Sequence, residues 1–237
     1  MTEELNRIIN ESNYIVFFGG AGVSTESGVP DFRSVDGIYN QKYDFPPEVI
    51  LSHNFFFAKS EEFYKFYFDK LVNPDILPND CHKKLKELED IGKLKAIITQ
   101  NIDGLHEQAG SKNVITIHGT INKNYCTKCN KEYNLNDMLS FKDLPTCSCG
   151  GLIKPDVILY GEPLNNDNYM NAIKYISKAD TLIVGGTSLN VYPAAGLINY
   201  FRGKNLVIIN KEKLNVNCTL QINEPIGKVF SKIKTKD

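Results

Sequence analysis

Residues 14–34 read YIVFFGGAGVSTESGVPDFRS, and this stretch decides the fold that the rest of the chain completes. The continuous apolar run at 14–18 is typical of a strand buried on both faces of a sheet. Glycines follow it directly, and their lack of a side chain lets a phosphate approach backbone N–H groups. A plain turn between strand and helix would also use glycines. It would not explain the Asp-Phe-Arg at 31–33.

Further apolar runs repeat this beginning along the chain. They lie at 94–99, 114–117, 181–186 and 206–210. Stretches with helical spacing precede and separate the runs, at 3–12, 79–91, 166–178, 193–201 and 225–236. Alternating strands and helices form βαβ units, so the sequence predicts an α/β fold with a Rossmann-like, doubly wound parallel sheet.

Two segments interrupt this alternation. Residues 45–72 are rich in aromatic side chains and predict a helical insertion that packs on the core. Residues 119–156 are polar, contain four cysteines and lack a long apolar run, which indicates a small inserted module. We therefore predict one domain over 1–237. Its large Rossmann-like part comprises the segments 1–44, 73–118 and 157–237.

Small or polar residues follow each predicted strand. These clusters are GGAG at 19–22, QNID at 100–103, HGT at 118–120, GTS at 186–188 and Asn210-Lys211. In an open α/β sheet the carboxyl ends of the strands converge on one crevice, where ligands bind. The sequence therefore predicts one binding crevice with walls from five strand ends.

The glycine loop departs from the usual dinucleotide fingerprint. Gly20 and Gly22 fit G-x-G-x-x-G, but Thr25 occupies the third glycine position, and no acid closes a second strand at the expected distance. This disfavours a hydride-transfer dehydrogenase and keeps a variant dinucleotide site open. The sequence has no G-x-x-x-x-G-K-[ST] motif, so it does not indicate a standard ATPase.

Four cysteines in the polar module form two pairs. Cys126 and Cys129 are a C-x-x-C, and Cys147 and Cys149 are a tighter C-x-C. Paired thiolates of this kind make a tetrahedral structural zinc site, and four sulfur ligands leave no open position for a reacting water. The alternative is four buried cysteines without a metal.

Composition excludes several classes of partner. The net charge is −1, so no overall positive field attracts the chain to nucleic acid or to an anionic membrane. The apolar runs are far shorter than the roughly 20 residues that span a bilayer. The N-terminal residues MTEELNRIINESN are acidic where a signal peptide is basic and then apolar. We therefore expect a cytoplasmic protein without nucleic-acid or membrane partners.

With these features in order, the chain resembles the sirtuins, the NAD-dependent protein-lysine deacylases related to the yeast silencing regulator. The resemblance rests on the two cysteine pairs and on motifs at 20–34 (GAGVSTESGVPDFRS), 99–106 (TQNIDGLH), 118–120 (HGT), 154–162 (KPDVILYGE), 186–195 (GTSLNVYPAA) and 209–210 (IN). Two departures stand out. Gly19 occupies a position where many members have Thr, and the second cysteine pair is one residue shorter than in many members.

The resemblance implies a single catalytic domain that consumes NAD. The acetyl oxygen of an acetyl-lysine attacks the ribose carbon that carries nicotinamide, and the products are nicotinamide, O-acetyl-ADP-ribose and free lysine. His118 follows a strand and has an unperturbed pKa near neutrality, so it is the expected base. Asn101 and Asp103 resemble the pair that holds the nicotinamide carboxamide. Helix capping is the alternative role for that pair.

The resemblance also implies the other contacts with NAD. They are Gly20, Ala21, Gly22, Thr25, Asp31, Phe32, Arg33, Gln100, Ile102, Gly186, Thr187, Ser188, Asn210, Lys211 and Ile226, besides Asn101, Asp103 and His118. Phe32 would shield the reactive ribose carbon from water and from returning nicotinamide. A core Phe beside a salt-bridged Arg is the alternative for Phe32 and Arg33.

For the acylated protein or peptide, the resemblance implies two edges between which an extended peptide adds as a strand. The residues expected to contact it are Phe32, Tyr64, Tyr67, Ile158, Tyr160 and Val191. Relatives that prefer acidic acyl groups have Tyr-x-x-Arg, whereas here Tyr67 stands three residues after Tyr64. A neutral acyl group is therefore expected, acetyl first.

Three alternatives stay open at this point. A longer acyl group could be preferred over acetyl, or another nucleophile could take the ribose carbon, which would make the protein an ADP-ribosyltransferase. A nucleotide sensor or a zinc-ribbon nucleic-acid binder without turnover is a third reading, although the cysteine segment is poor in arginine. The sequence leaves the oligomeric state open and is compatible with a monomer.

Overall fold

The computed structural model of the chain describes residues 2–32, 37–38 and 43–235. Nine strands run in chain order through this part: β1 Ile15–Gly19, β2 Leu94–Thr99, β3 Val114–Thr116, β4 Gly119–Cys126, β5 Glu132–Asn134, β6 Ile153–Val157, β7 Thr181–Gly185, β8 Asn205–Ile209 and β9 Leu220–Ile222. They form a six-stranded sheet of order β3-β2-β1-β7-β8-β9 and a three-stranded sheet of order β5-β4-β6.

The larger sheet is parallel throughout, as predicted. Every residue of β1 and of β7 is buried, which is why these strands read as continuous apolar runs. Gly19 pairs with Thr99 on one side and with Gly185 on the other, so neighbouring strands end at the same edge. The strand β9 was not predicted, because it has only three residues and Leu220 is half-buried.

Helices cover both faces of this sheet. The α-helices are α1 Thr2–Glu11, α2 Pro47–Ile50, α3 His53–Ala58, α4 Ser60–Lys70, α5 Asp80–Asp90, α6 Leu105–Gln108, α7 Leu135–Ser140, α8 Asn166–Lys178 and α9 Ile226–Phe230. One apolar cluster joins α1, α5 and α9 to the sheet, and another joins α8 to the opposite face.

Two expected helices differ from the prediction. The segment predicted at 193–201 is a 3-10 helix, Ala194–Tyr200, and the helix expected to run to 236 ends at Phe230. After Phe230 the backbone tightens, because the N–H of Ile233 donates to the carbonyl of Phe230 at 3.1 Å, which keeps Ile233 in the core.

The small sheet and the helical insertion share a third apolar cluster. It combines aromatic side chains of α3 and α4 with residues of β4, α7 and β6. The small sheet is antiparallel, with β4 in the middle. The proposed division of the chain into a large part, an insertion and a module stays a prediction.

Across 2–32, 37–38 and 43–235, none of the helices combines the length and the apolar character that crossing a bilayer requires.

Candidate active site

The glycine loop after β1 packs directly against the loop after β7. The N–H of Gly22 donates to the carbonyl of Gly186 at 2.8 Å. A Cβ at Gly22 would lie 2.8 Å from Cα of Gly186, and a Cβ at Gly20 would lie 2.8 Å from Cβ of Thr187. Gly186 itself has φ of +58°, the left-handed region that favours glycine. The close approach of these two loops therefore requires glycine at all three positions.

Asn101 and Asp103 meet at a serine of the glycine loop. Ser24 is 1% exposed, and its Oγ donates to Asp103 Oδ2 at 2.6 Å. The same Oγ accepts from Nδ2 of Asn101 at 3.0 Å. Ser24 is not among the residues predicted from the sequence, although its position directly after Gly20-Ala21-Gly22-Val23 was a usable signal.

Asp103 is half-buried and accepts hydrogen bonds from two donors. Its Oδ1 accepts from the N–H of Leu105 at 3.0 Å, so it also satisfies the start of α6, which is the capping role held open as an alternative. Burial raises the pKa of Asp103, and the hydrogen bonds from Ser24 and Leu105 act against this rise. The carboxylate is therefore held by donors on both of its oxygens.

His118 lies between β3 and β4, at the edge where the strands end. Its Nδ1 is 3.1 Å from the carbonyl oxygen of Gln100. Burial lowers the pKa of His118, and the hydrogen bond to Gln100 acts in the opposite direction. When Nδ1 carries the proton and donates to this carbonyl, Nε2 has a free lone pair. The imidazole is therefore arranged as a neutral base.

Gln100 directly follows β2 and links the end of that strand to the ends of three others. Its Nε2 donates to Oγ1 of Thr187 at 3.2 Å, and its backbone N–H donates to the carbonyl of Gly19 at 2.9 Å. Together with the bond to His118, these contacts connect the ends of β1, β2, β3 and β7. The residues 20–25, 100–103, 118 and 186–188 are called the nucleotide end of the crevice below.

The other residues expected around NAD occupy different environments. Oγ1 of Thr25 donates to the carbonyl of Gly22 at 3.1 Å, which folds the glycine loop on itself. Asp31 and Phe32 are half-buried, and Phe32 packs on the third apolar cluster, as does Ile102. Arg33 lies outside the described residues.

At the predicted adenosine end, the backbone N–H of Asn210 donates to the carbonyl of Ile222, and its side chain donates to the carbonyl of Glu212 at 3.0 Å. Lys211 is exposed, whereas Ser188 is half-buried. Ile226 is 3% exposed and lies under the end of β7, where a Cβ on Gly185 would clash with its Cδ1. Ile226 therefore already fills a core position.

Residues 158–162, called the peptide loop, connect to the site through His118. The N–H of Ile158 donates to the carbonyl of His118 at 2.9 Å. Tyr160 is exposed but its main chain is paired: its N–H donates to the carbonyl of Leu51, and its carbonyl accepts from His53. A peptide strand therefore cannot use these groups of Tyr160. On the predicted opposite edge, Val191 is half-buried.

Tyr64 and Tyr67 lie inside the third apolar cluster. Both are buried, and the hydroxyl of Tyr64 donates to the carbonyl of Ile153 in β6. The hydroxyl of Tyr67 is buried and has no hydrogen-bond partner among the described residues. The two rings join the helical insertion to the small sheet, and their contact with an acyl group stays a prediction.

The four cysteines of the small module converge. Their sulfur atoms all lie within 4.8 Å of one another, with Cys126 Sγ 3.4 Å from Cys149 Sγ and Cys129 Sγ 3.6 Å from Cys147 Sγ. A tetrahedral zinc with Zn–S bonds of about 2.3 Å separates its sulfur ligands by about 3.8 Å. The cluster therefore fits one structural zinc, and the tighter C-x-C spacing does not prevent it.

Comparison with known proteins identifies the family of this chain. The profile of the Sir2 family matches residues 20–193, which is more than half of the chain. An NAD-dependent protein deacetylase of Clostridium perfringens is 57% identical over 236 residues, with 97% of each chain covered.

Two solved structures extend this likeness to the fold. A Sir2 complex with a p53 peptide and NAD+ superposes with a TM-score of 0.86 at 38% identity, over 98% of this chain and 96% of that one. A Sir2 complex with an inhibitor, 2'-O-acetyl-ADP-ribose and deacetylated p53 peptide has a TM-score of 0.84 at 37% identity, over 97% and 96% of the two chains. With a family profile over most of its length and relatives this similar, the chain belongs to the Sir2 family.

Proposed function

We propose that this protein is an NAD-dependent protein-lysine deacetylase that releases nicotinamide, O-acetyl-ADP-ribose and the free lysine. Its relative from Clostridium perfringens carries the name of that activity at 57% identity. The observation that carries the proposal is the imidazole of His118, held by the carbonyl of Gln100 beside the Asn101–Ser24–Asp103 network. This arrangement supports a base and an amide-binding group side by side at one edge of the sheet.

His118 acts as the general base. NAD, when bound, supplies the ribose whose bond to nicotinamide is broken and whose hydroxyl must lose a proton. Because Nδ1 is occupied by Gln100, the proton is accepted at Nε2. The lowered pKa of His118 keeps the ring neutral near pH 7, which is the form that a base needs.

Asn101, Ser24 and Asp103 hold the carboxamide of nicotinamide. An amide group needs one acceptor and one donor, and this network has the Asp103 carboxylate and the Asn101 amide. Ser24 fixes the relative positions of both side chains, because its hydroxyl bonds to each of them. Held in this way through its carboxamide, the nicotinamide is oriented before the bond between its ring nitrogen and the ribose is broken.

The remaining residues are assigned to different parts of NAD. The glycine loop with Thr25, and the loop with Thr187 and Ser188, would contact the phosphates and a ribose. Asp31, Phe32 and Arg33 would cover the nicotinamide half, while Gln100 and Ile102 flank its ribose. Asn210, Lys211 and Ile226 would border the adenosine.

The acylated protein is recognised mainly through main-chain contacts near the peptide loop. Ile158, Tyr160 and Val191 would border the peptide, and Phe32 the acyl group. Tyr64 and Tyr67 would act through the packing beneath it. One zinc held by Cys126, Cys129, Cys147 and Cys149 keeps the small sheet folded and takes no part in the chemistry.

We further expect the enzyme to act in the cytoplasm. The six cysteines are free thiols, and this supports a reducing compartment.

Mass spectrometry of the products tests the function. The purified protein is incubated with NAD and an acetylated peptide, and in parallel with peptides that carry longer acyl groups. Unmodified lysine peptide, nicotinamide and O-acetyl-ADP-ribose are the expected products, with acetyl as the preferred acyl group. A peptide that gains the mass of ADP-ribose would instead identify a transferase, and NAD that stays intact would contradict both activities.

A further inference from the structure

A carboxylate outside the nucleotide end joins three parts of the molecule. The side chain of Glu162 is only 15% exposed. Its Oε2 accepts from the backbone N–H of Leu159 at 2.9 Å and from Nζ of Lys154 at 3.1 Å. Its Oε1 lies 2.9 Å from Nδ1 of His53. Lys154 belongs to β6 and His53 begins α3, so Glu162 connects the peptide loop to the small sheet and to the helical insertion.

Glu162 also closes the turn of the peptide loop from two sides. Its backbone N–H donates to the carbonyl of Leu159 at 2.9 Å, while its carboxylate accepts from the N–H of that same residue. Gly161 has φ of +90°, as a type II turn requires at its third position. Both main-chain groups of Leu159 are therefore satisfied by one residue.

The neighbouring residues of the loop are anchored independently. Ile158 is bonded to the carbonyl of His118, and Tyr160 is bonded to Leu51 and His53. A shift of the turn would therefore move residues whose main chains hold the loop between His118 and the helical insertion. The side chain of Glu162 bonds to both structures that flank this turn.

The electrostatic setting favours a charged carboxylate. Burial raises the pKa of Glu162, but the N–H of Leu159, the His53 ring and the Lys154 ammonium outweigh it and hold the pKa below its usual value. Without the carboxylate, the hydrogen bonds of Lys154 within the described residues would be those to the carbonyls of Val157 at 2.9 Å and Pro155 at 3.3 Å. A partly buried charge would then lose the carboxylate that is bonded to it.

We propose that Glu162 is a positioning residue for the acylated peptide: it holds the peptide loop in its binding conformation before the peptide arrives. The proposal rests on the deacetylase function given above. A preformed loop binds a peptide more tightly than a loop that must be ordered on binding, because less conformational entropy is lost. The nucleotide end shares no hydrogen bond with Glu162, so its affinity for NAD should not depend on this residue.

Steady-state kinetics with varied peptide and varied NAD tests this assignment. Glu162→Ala should raise KM for an acetylated peptide about tenfold, with KM for NAD and kcat changed by less than about twofold. Glu162→Gln retains an oxygen that can accept from Leu159, so it should recover part of the loss. Glu87→Gln is the matched control, since Glu87 pairs with Lys84 on α5 and should leave all three constants unchanged.

An unchanged KM for the peptide in folded Glu162→Ala would overturn the proposal, and so would an equal rise in KM for peptide and NAD. If Glu162→Ala does not fold, Lys154→Met is measured instead, and a peptide KM equal to that of the wild type would overturn it. Fluorescence anisotropy of a labelled acetylated peptide separates this question from the proposed function. A wild type without deacetylation would disprove the function, whereas equal peptide affinity in wild type and variant would disprove the role of Glu162.

Discussion

The nucleotide end of the crevice and the peptide loop stand side by side but are stabilised in different ways. The nucleotide end lies on strand ends of the six-stranded sheet, and its polar groups bond to one another, as Ser24 does to Asp103. The peptide loop does not lie on the strand ends of the six-stranded sheet. Its contacts reach β6 of the small sheet through Lys154 and α3 of the insertion through His53.

This difference separates two requirements of the enzyme. A parallel sheet buried on both faces is rigid, and it carries the groups that we propose to hold NAD and to accept the proton. The peptide loop depends on the helical insertion and on the small sheet, and the cysteine cluster stabilises the small sheet. Perturbing either of them should therefore weaken peptide binding more than NAD binding.

Zinc removal is the strongest way to test this contrast. Structural zinc sites contribute on the order of 10 kcal/mol to the folding of small metal-binding units. Cys126→Ser, or extraction of the metal with a chelator, should unfold the small sheet and abolish deacetylation, with NAD binding weakened less than peptide binding. Metal content, circular dichroism and calorimetric titration of both ligands measure this. Cys218→Ser is the control because Cys218 lies outside the cluster, and full activity of metal-free protein would contradict the prediction.

His118→Ala should have the next largest effect, and only on chemistry. Loss of a general base costs about 10²- to 10⁴-fold in rate. The affinity for NAD should change by less than about threefold, because His118 bonds to Gln100 through only one of the several contacts that hold that residue. Product formation and calorimetric NAD binding are compared in the same preparation. Added imidazole should restore part of the rate, and a collapse of NAD affinity would show that the histidine mainly holds the site together.

The sheet could be read from the sequence because its strands are buried on both faces. Strands in that environment appear in the sequence as continuous runs of β-branched and other apolar residues, as in β1 and β7. Strand ends then located the crevice, since parallel strands finish at one edge. The cysteines were equally readable, because metal ligands need fixed residue types at short spacing.

The contacts within the site were not readable in the same way. Ser24 lies 79 residues from Asp103 in sequence, and nothing in its local pattern indicates that pairing. The glycines were interpreted as space for a phosphate, and the structure adds a second cause, the approach of Gly186 to the loop. Pairing of Tyr160 with residues 51 and 53 depends equally on tertiary structure. Such contacts depend on how helices, strands and loops pack together, and the spacing of residues in the sequence does not indicate this.

A buried histidine pair beside the nucleotide end should make stability depend on pH. His82 and His106 are buried with ring centroids 4.6 Å apart. Burial lowers the pKa of His82 to about 4, and burial and the neighbouring His82 lower that of His106 well below its usual value. As the pH falls, these histidines are protonated in the unfolded chain before they are protonated in the folded protein. Their contribution to stability is therefore fully present above about pH 6.5 and is lost as the pH drops towards 4.

The loss from His82 alone should approach about 3 kcal/mol at the acid end of this window. Urea unfolding at a series of pH values measures it. His106→Leu removes one of the two rings and two buried nitrogens without a hydrogen-bond partner in the described part of the chain, so its stability should fall less steeply with acid. An identical slope in the variant would assign the acid sensitivity to other groups.

Ser24→Ala tests the nucleotide end with the smallest change, the loss of one hydroxyl. Loss of a hydrogen bond to a charged group costs about 2 kcal/mol, so kcat/KM for NAD should fall by about tenfold or somewhat more. The pKa of Asp103 is already raised by burial, and Ser24 acts against that rise. Without the hydroxyl the carboxyl is protonated at a higher pH, so the acid side of the pH profile of kcat/KM should move upwards.

That direction distinguishes a hydrogen bond from simple packing. If Ser24 only filled space, Ser24→Ala would lower activity equally at every pH, because the charge of Asp103 would not change. Ser177→Ala, on the exposed surface of α8, controls for the loss of a hydroxyl away from the crevice. Peptide KM should stay constant in both variants, since the partners of the Ser24 side chain among the described residues are Asn101 and Asp103 of the nucleotide end. An upward shift of the pH profile for NAD, with an unchanged KM for the peptide, would therefore show that the Ser24 hydroxyl acts on the nucleotide end and not on the peptide loop.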